Sequence, residues 1–184
     1  LYAGIVTALY DRERSGRGRL VEIAMVETVY PAMASNLADV FNRKAAAPRT
    51  GNRHGGLAEA PYNVYPASDG HVAIISVNES HWTGLTRAMG RTELADDPRF
   101  KTVLDRLKHI DLTDRLVSEW SSRLTRKEIT ELCRINRVPC AAVRDLREVT
   151  EDDHLHARGM LREIEHPEYC DILVHRSPLV LHEA

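Results

Sequence analysis

The sequence predicts an α/β fold, on three observations. A helix-spaced stretch at residues 1–14 stops in Ser15-Gly16-Arg17-Gly18 and gives way at once to the apolar run LVEIAM, the pattern of an α/β unit. Residues 62–77 carry two β-rich runs joined by Asp69-Gly70, which reads as a hairpin turn. From Asn78 onward, helix-periodic stretches alternate with short strand-like runs.

The bulk properties bound what such a chain can be. Its 184 residues suffice for one domain, or for a domain and part of another, and a hydrophobic share of 43% supports a real core and argues against disorder. With 25 basic and 27 acidic residues, the formal net charge of -2 gives no pull towards nucleic acid or acidic membranes. Cys133, Cys140 and Cys170 are an odd set without C-x-x-C, which speaks against a disulfide framework and a structural zinc site and fits a reducing, cytoplasmic setting. No apolar run reaches the roughly 20 residues of a membrane helix, and no signal peptide is visible. The chain opens on Leu1 inside a helix and stops at Ala184 without a closing element, so both ends are expected to be cut from a longer protein.

In order, residues 1–14 form a helix on Leu1, Ile5, Ala8 and Leu9, with Arg12 and Arg14 at the negative end of its dipole. Residues 20–25 are expected as a strand. Residues 27–44 are expected as a helix with a stripe of Val29, Met33, Leu37, Val40 and Phe41, and with Pro31 near its start. Residues 45–50, which include Pro48, read as a linker and a domain boundary. Strands follow at 62–65 and 71–77. Asn78 caps a helix over 79–89 carrying Trp82, Leu85 and Met89, and Gly90 ends it. Residues 92–97 make a half-turn closed by Pro98. Helices are expected at 100–107 and 112–124, and Thr125-Arg126-Lys127-Glu128 is a capping box opening a helix to about Asn136. A buried strand at 138–143, a helical turn at 145–148, a short helix opened by Thr150, and strands at 160–164 and 172–174 around His166-Pro167 complete the reading.

Most residues that suggest chemistry have a structural explanation. His154 and His156 lie two apart, and no H-E-x-x-H or C-x-x-C completes a metal set. Ser15 and Ser35 lack a G-x-S-x-G elbow, and neither a P-loop nor G-x-G-x-x-G occurs. Cys140 follows Pro139 in an apolar strand and reads as a core residue. Asp69 reads as a turn residue and Trp82 as a core anchor. Arg12, Arg14, Arg17 and Arg19 read as a solvated helix end, or else as a contact for an anionic cofactor or a subunit. The suggestive stretch is RTGNRHGGLAEAP, where Gly51, Gly55 and Gly56 fall within six residues; it is a surface loop feeding a hairpin, or a lid over a substrate.

Longer strings carry a resemblance. ALYDRERSGRGRLVEIAM is similar to the A-L-x-x-R-x-x-[ST]-G-x-G-x-x-[VI]-[DE] signature of the family III CoA-transferases, met by Ala8, Leu9, Arg12, Ser15, Gly16, Gly18, Val21 and Glu22. The similarity continues through RTGNRHGGLAEAPYNVYPASDGHVAI, DDPRF, the Arg106 region, VPCAAV and EDDHLHARGM, across almost the whole chain. The resemblance implies part of a Rossmann-like large domain plus a small α/β domain. Residues 1–48 would belong to the large domain and linker, 49–160 to the small domain, and 161–184 to a segment returning towards the large one. It implies CoA transfer between an acyl-CoA and a free carboxylic acid through an aspartyl-CoA thioester, with an interlocked homodimer and no tightly bound cofactor. The nucleophilic aspartate is expected upstream of this chain, and no aspartate here matches it. The glycine loop that lies over the active site in such enzymes maps to His54, Gly55, Gly56, Leu57, Ala58 and Glu59. The related α-methylacyl-CoA racemases, and a non-catalytic binding or dimerisation module, are the alternative readings.

Overall fold

An antiparallel sheet of three strands, β1 (Tyr62–Ala67), β2 (Gly70–Ile75) and β3 (Cys140–Ala142), organises a computed structural model that describes residues 1–43 and 48–180. Strand β1 pairs with β2 from Tyr62↔Ile75 to Ala67↔Gly70, and β2 pairs with β3 from Val72↔Ala142 to Ile74↔Cys140. The corner of the hairpin is therefore Ser68-Asp69, one residue earlier than expected, and Gly70 opens β2 with a φ of 146°. Glycine meets that backbone angle without strain, and an added Cβ would stand 3.1 Å from the Arg126 side chain. Asp69 closes the corner by accepting the Arg126 backbone N–H at 2.7 Å.

Helices α1 (Tyr2–Ser15), α2 (Met25–Val29) and α3 (Ala34–Arg43) precede the sheet. Between β2 and β3 run α4 (Glu79–Ala88), α5 (Val103–Lys108), α6 (Ile110–Ser121) and α7 (Arg126–Ile135). After β3 come α8 (Leu146–Thr150), α9 (Asp153–Ala157) and a separate hairpin of β4 (Leu161–His166) and β5 (Cys170–His175). The core lies between the three-stranded sheet and α4, α6 and α7. Tyr65, Val72 and Ile74 face Trp82, Leu85, Val117, Ile129 and Cys133, with Phe100 and Leu94 closing one side. Each fully buried aliphatic side chain there contributes about 1.5–3 kcal/mol.

Local signals place most ends. The Asn78 side chain accepts the His81 N–H, and Gly90 follows α4 with a φ of 67°. Thr125 and Glu128 form both bonds of the expected capping box, and Asp145 with Glu148 forms a second one. Gly16 ends α1 in the left-handed region, its N–H donating to the Arg12 carbonyl.

Several expectations are corrected. Residues 20–25 form no strand. The segment lies along α1, Met25 already begins α2, and the side chains of Leu20 and Met25 are exposed. An apolar run becomes a strand only where another strand supplies its ladder, and none does so here among the described residues. The expected single helix over 27–44 is broken by a 3-10 turn at Tyr30–Met33. Pro31 has no N–H to donate and crowds the carbonyl four residues back, which tightens the turn. Its expected stripe is not a buried face: Val29, Met33, Val40 and Phe41 are all exposed. Lys44, the first half of the 45–50 linker (residues 45–47) and the end of the 161–184 segment (residues 181–184) lie outside the described residues. Phe100 is buried in the turn before α5 rather than in a helix, because Thr102 caps α5. Thr150 ends α8, and Asp152 caps α9.

Candidate functional site

Residues 48–61 carry the glycine loop into β1. The Arg53 N–H donates to the Thr50 carbonyl at 3.2 Å around Gly51, whose φ is 63°. A second turn follows, in which the Leu57 N–H donates to the His54 carbonyl at 2.9 Å. Leu57 is left-handed at a φ of 46°, a conformation costing a non-glycine residue about 1–2 kcal/mol. The His54 ring folds back into this turn, and its Nδ1 accepts the N–H groups of Gly56 at 3.2 Å and Ala58 at 3.3 Å. That geometry requires a bare Nδ1 and leaves the proton on Nε2. The ring meets Tyr62 edge-on, with centroids 5.3 Å apart. The structure thus brings five of the six predicted loop residues into one turn organised by His54. Glu59 leads out, half-buried, to the buried Ala60.

Three anchors hold the loop. At its entry the Arg53 guanidinium donates to Asp111 Oδ1 and Asp114 Oδ2 on α6, each at 2.7 Å. The buried Asp114 carboxylate also accepts from Asn63 Nδ2 at 3.1 Å and from the Tyr65 hydroxyl at 2.6 Å. Burial works against the Arg53 charge, but the bonds to Asp111 and Asp114 outweigh it and hold the guanidinium pKa above its ordinary value. Burial first, and then the Asp114 charge and hydrogen bond, push the Tyr65 phenol well above the usual tyrosine range.

At the exit, Arg106 of α5 is fully buried. Its Nε donates to the Ala60 carbonyl at 2.7 Å, and its Nη1 to the Phe100 carbonyl and Glu79 Oε2, each at 2.8 Å. The guanidinium lies 5.2 Å from the centre of the Trp82 ring. Desolvation lowers the Arg106 pKa, against the pull of Glu79. In the middle, Asn36 Nδ2 of α3 donates to the Gly55 carbonyl at 3.0 Å. The approach is close: a Cβ on Gly55 would lie 2.8 Å from Asn36 Oδ1.

The Gly56, Leu57 and Ala58 N–H groups are taken up within the turn; the loop carries one half-buried carboxylate, Glu59, and its residues 54–59 include no hydroxyl, thiol or amine nucleophile. The other candidates have structural roles. Asp69 holds the start of α7. Trp82 is buried, with its Nε1–H directed at the Leu94 carbonyl. His156 Nε2 lies 2.7 Å from the Thr150 carbonyl, and the described residues contain no group of three potential metal ligands. Arg12, Arg14 and Arg19 bond Glu13, Tyr10 and Asp11 at the surface. None of the described helices is long and apolar enough to cross a membrane. Sequence reasoning missed Asn36, Asn63, Asp111 and Asp114 as loop partners. Asp114 lies 61, 51 and 49 residues from Arg53, Asn63 and Tyr65. The one available signal was the pairing of Asp111 and Asp114 at i,i+3 on a single helix face.

Comparison with known proteins completes this picture. The family model of CoA-transferase family III matches residues 1–184. The chain belongs to that family. Formyl-CoA:oxalate CoA-transferase of Streptomyces coelicolor is 31% identical, over 99% of this chain and 48% of that protein. Succinyl-CoA–D-citramalate CoA-transferase of Chloroflexus aurantiacus is 32% identical, over 92% and 42%. Among solved structures, a CaiB/BaiF family protein from Brucella suis superposes with a TM-score of 0.68 at 27% identity, over 96% of this chain and 49% of that one. Rv3272 from Mycobacterium tuberculosis, at 22% identity, shares the fold with a TM-score of 0.75, over 97% and 46%. The fold is thus the mixed helix and strand fold of family III CoA-transferases, and the chain spans about half the length of its relatives or somewhat less.

Proposed function

We propose that this chain is the glycine-loop part of a CoA-transferase that moves CoA from an acyl-CoA to a free carboxylic acid. The observation that carries the reading is the family match over the whole chain, together with relatives that are named as CoA-transferases. Those relatives' names pair formyl-CoA with oxalate and succinyl-CoA with D-citramalate, so the acceptor class proposed here is a small dicarboxylic acid.

The chemistry divides one exchange into two acyl transfers. A carboxylate outside this chain attacks the thioester and expels CoA thiolate, leaving a mixed anhydride. The thiolate returns to the enzyme carbonyl, releases the first acid and forms an enzyme thioester; the acceptor carboxylate attacks that thioester and expels CoA thiolate, which then attacks the acceptor's carbonyl in the new anhydride, giving the new acyl-CoA and freeing the enzyme carboxylate. Anhydrides and thioesters hydrolyse, so the loop of His54, Gly55, Gly56, Leu57, Ala58 and Glu59 is assigned to cover them and keep water out. Its three anchors support that role, because they set the loop's position from α3, α5 and α6.

The division into a large-domain part (1–48), a small domain (49–160) and a return segment (161–184) belongs to the same reading, as do a homodimer and a cytoplasmic location. Support for burial against further protein comes from residues 1–43, where Leu20, Met25, Val26 and Phe41 are all more than 70% exposed. The test incubates the complete gene product, and separately the 184-residue chain, with formyl-CoA or succinyl-CoA and a panel of acids, following new CoA thioesters by mass spectrometry. Exchange by the complete product is expected. Deuterium uptake at the α-carbon of a branched acyl-CoA, without exchange of CoA, would overturn the proposal.

A further inference from the structure

We propose that His54 is the latch of the glycine loop, a positioning residue whose bare Nδ1 keeps the loop shut over the acyl intermediates and whose protonation lets it open. The inference rests on the reading of the loop as their cover. Nδ1 accepts the Gly56 N–H at 3.2 Å and the Ala58 N–H at 3.3 Å, and the His54 carbonyl accepts the Leu57 N–H at 2.9 Å. One residue thus takes up three successive N–H groups. Little else holds that shape. Gly55 and Gly56 leave the backbone free to take other angles, and Leu57 is kept at a φ of 46°, where a non-glycine residue is strained. The bonds of Asn36, Arg53 and Arg106 end on the Gly55 carbonyl, the α6 carboxylates and the Ala60 carbonyl, so they fix the middle and ends of the loop but not this turn.

Both bonds to Nδ1 need its lone pair. A proton there turns the acceptor into a donor that faces two other donors, so the ring leaves the turn or the turn opens. The ring itself rests edge-on against Tyr62 of β1, with centroids 5.3 Å apart. The ionisable groups on the elements that hold the loop are Tyr62, Glu59 within the loop, Arg53 with Asp111 and Asp114 of α6, and Arg106 of α5 with Glu79 of α4. Helix α3 meets the loop through the uncharged Asn36. Imidazole is the side chain that changes charge between about pH 5 and 8, and none of these groups is a second imidazole. An open loop admits water. Water that attacks the enzyme thioester in place of the acceptor gives the free enzyme carboxyl group and CoA thiol, one hydrogen of the water going to sulfur. Loss of the latch therefore appears as CoA thiol released in place of new CoA thioester.

An Asn side chain carries its amide oxygen where Nδ1 stands, and a Gln side chain carries its end group one atom farther out, so the two variants separate a placed acceptor from mere polarity. The complete gene product and its His54→Ala, His54→Asn and His54→Gln variants are compared in two ways. Hydrogen exchange is followed in the peptide spanning residues 54–61. CoA thiol released per new CoA thioester is measured with formyl-CoA and oxalate, and with succinyl-CoA and D-citramalate, from about pH 8 down to 5. Loop exchange and the thiol ratio are both expected to rise roughly tenfold in His54→Ala and His54→Gln, and to return to within about twofold of the unsubstituted protein in His54→Asn. The ratio should climb as pH falls in the unsubstituted protein and stay flat in His54→Asn, because an amide does not titrate. Where His54→Ala fails to fold, the Asn and Gln pair carries the comparison. Unchanged loop exchange in folded His54→Gln, or His54→Asn no better than His54→Gln, overturns the latch and leaves the loop's covering role standing. Equal acid dependence in the unsubstituted and His54→Asn forms overturns the protonation step. Loop exchange that follows the latch while the thiol ratio stays constant, or while no CoA moves at all, overturns the covering role and this inference with it.

Discussion

Asp114 is the residue whose loss should be felt most at the loop. In Asp114→Ala the Tyr65 hydroxyl, on a residue only 1% exposed, loses its partner, and a buried polar group left unsatisfied costs about 1–3 kcal/mol. Arg53 loses one of its two carboxylates. Breaking a buried ion pair costs roughly 3–5 kcal/mol, but the Arg53 side chain is 27% exposed and keeps Asp111, which places this contribution well below that range. Asn63 is half-buried and can turn to water. The expected total is about 3 kcal/mol, seen as a lower urea midpoint at unchanged m, and as a fall of roughly 6–12 °C in Tm for a chain of this size. Asp111→Ala, whose side chain is 82% exposed, should stay within about 0.5 kcal/mol. Tyr65→Phe combined with Asp114→Ala should show coupling of at least ~1 kcal/mol. Ultraviolet titration should show one of the six tyrosines ionising only on unfolding. An Asp114→Ala cost below about 1 kcal/mol, or a coupling near zero, would refute the claim that Asp114 holds the loop entry.

Other outcomes follow from single contacts. Gly84→Ala would put a Cβ 2.3 Å from the Asn136 carbonyl and 3.0 Å from Val138; the obstacle is backbone, so a destabilisation of about 1–3 kcal/mol or more is expected in urea melts. Gly55→Ala displaces only the end of the Asn36 side chain, so stability should fall by about 1 kcal/mol or less. CoA exchange by the complete product should drop further than that, and equal activity would refute the loop assignment. Glu148 is held at a pKa of about 2, chiefly by its bonds to Arg126, against an ordinary value of 4.5. In that interval the unfolded chain binds the extra proton. The stability Glu148 contributes is therefore full above pH 4.5 and is lost as pH falls through about 2. Glu148→Gln should flatten this acid arm in a pH series of thermal melts, and an unchanged slope would sink the assignment.

What could be read in advance follows the range of each interaction. The Asn78 cap, the Thr125–Glu128 box, the stop at Gly16 and the β1–β2 hairpin were legible because their partners lie within a few residues. The family signature was legible for the same reason. Tertiary structure alone decided the rest. Residues 20–25 have strand composition, yet a strand exists only where another completes its ladder. Pro31 was expected to be tolerated near the start of a single helix, and the 3-10 turn at Tyr30–Met33 breaks that helix instead. His54, expected only as one member of the glycine loop, organises that loop, because its Nδ1 accepts the Gly56 and Ala58 N–H groups. The grip of Asp114, Arg106 and Asn36 on that loop joins residues 19 to 61 positions apart. Local pattern specifies helices and turns because their hydrogen bonds close over three or four residues; a carboxylate's choice among distant donors is settled only when burial removes water as the alternative partner.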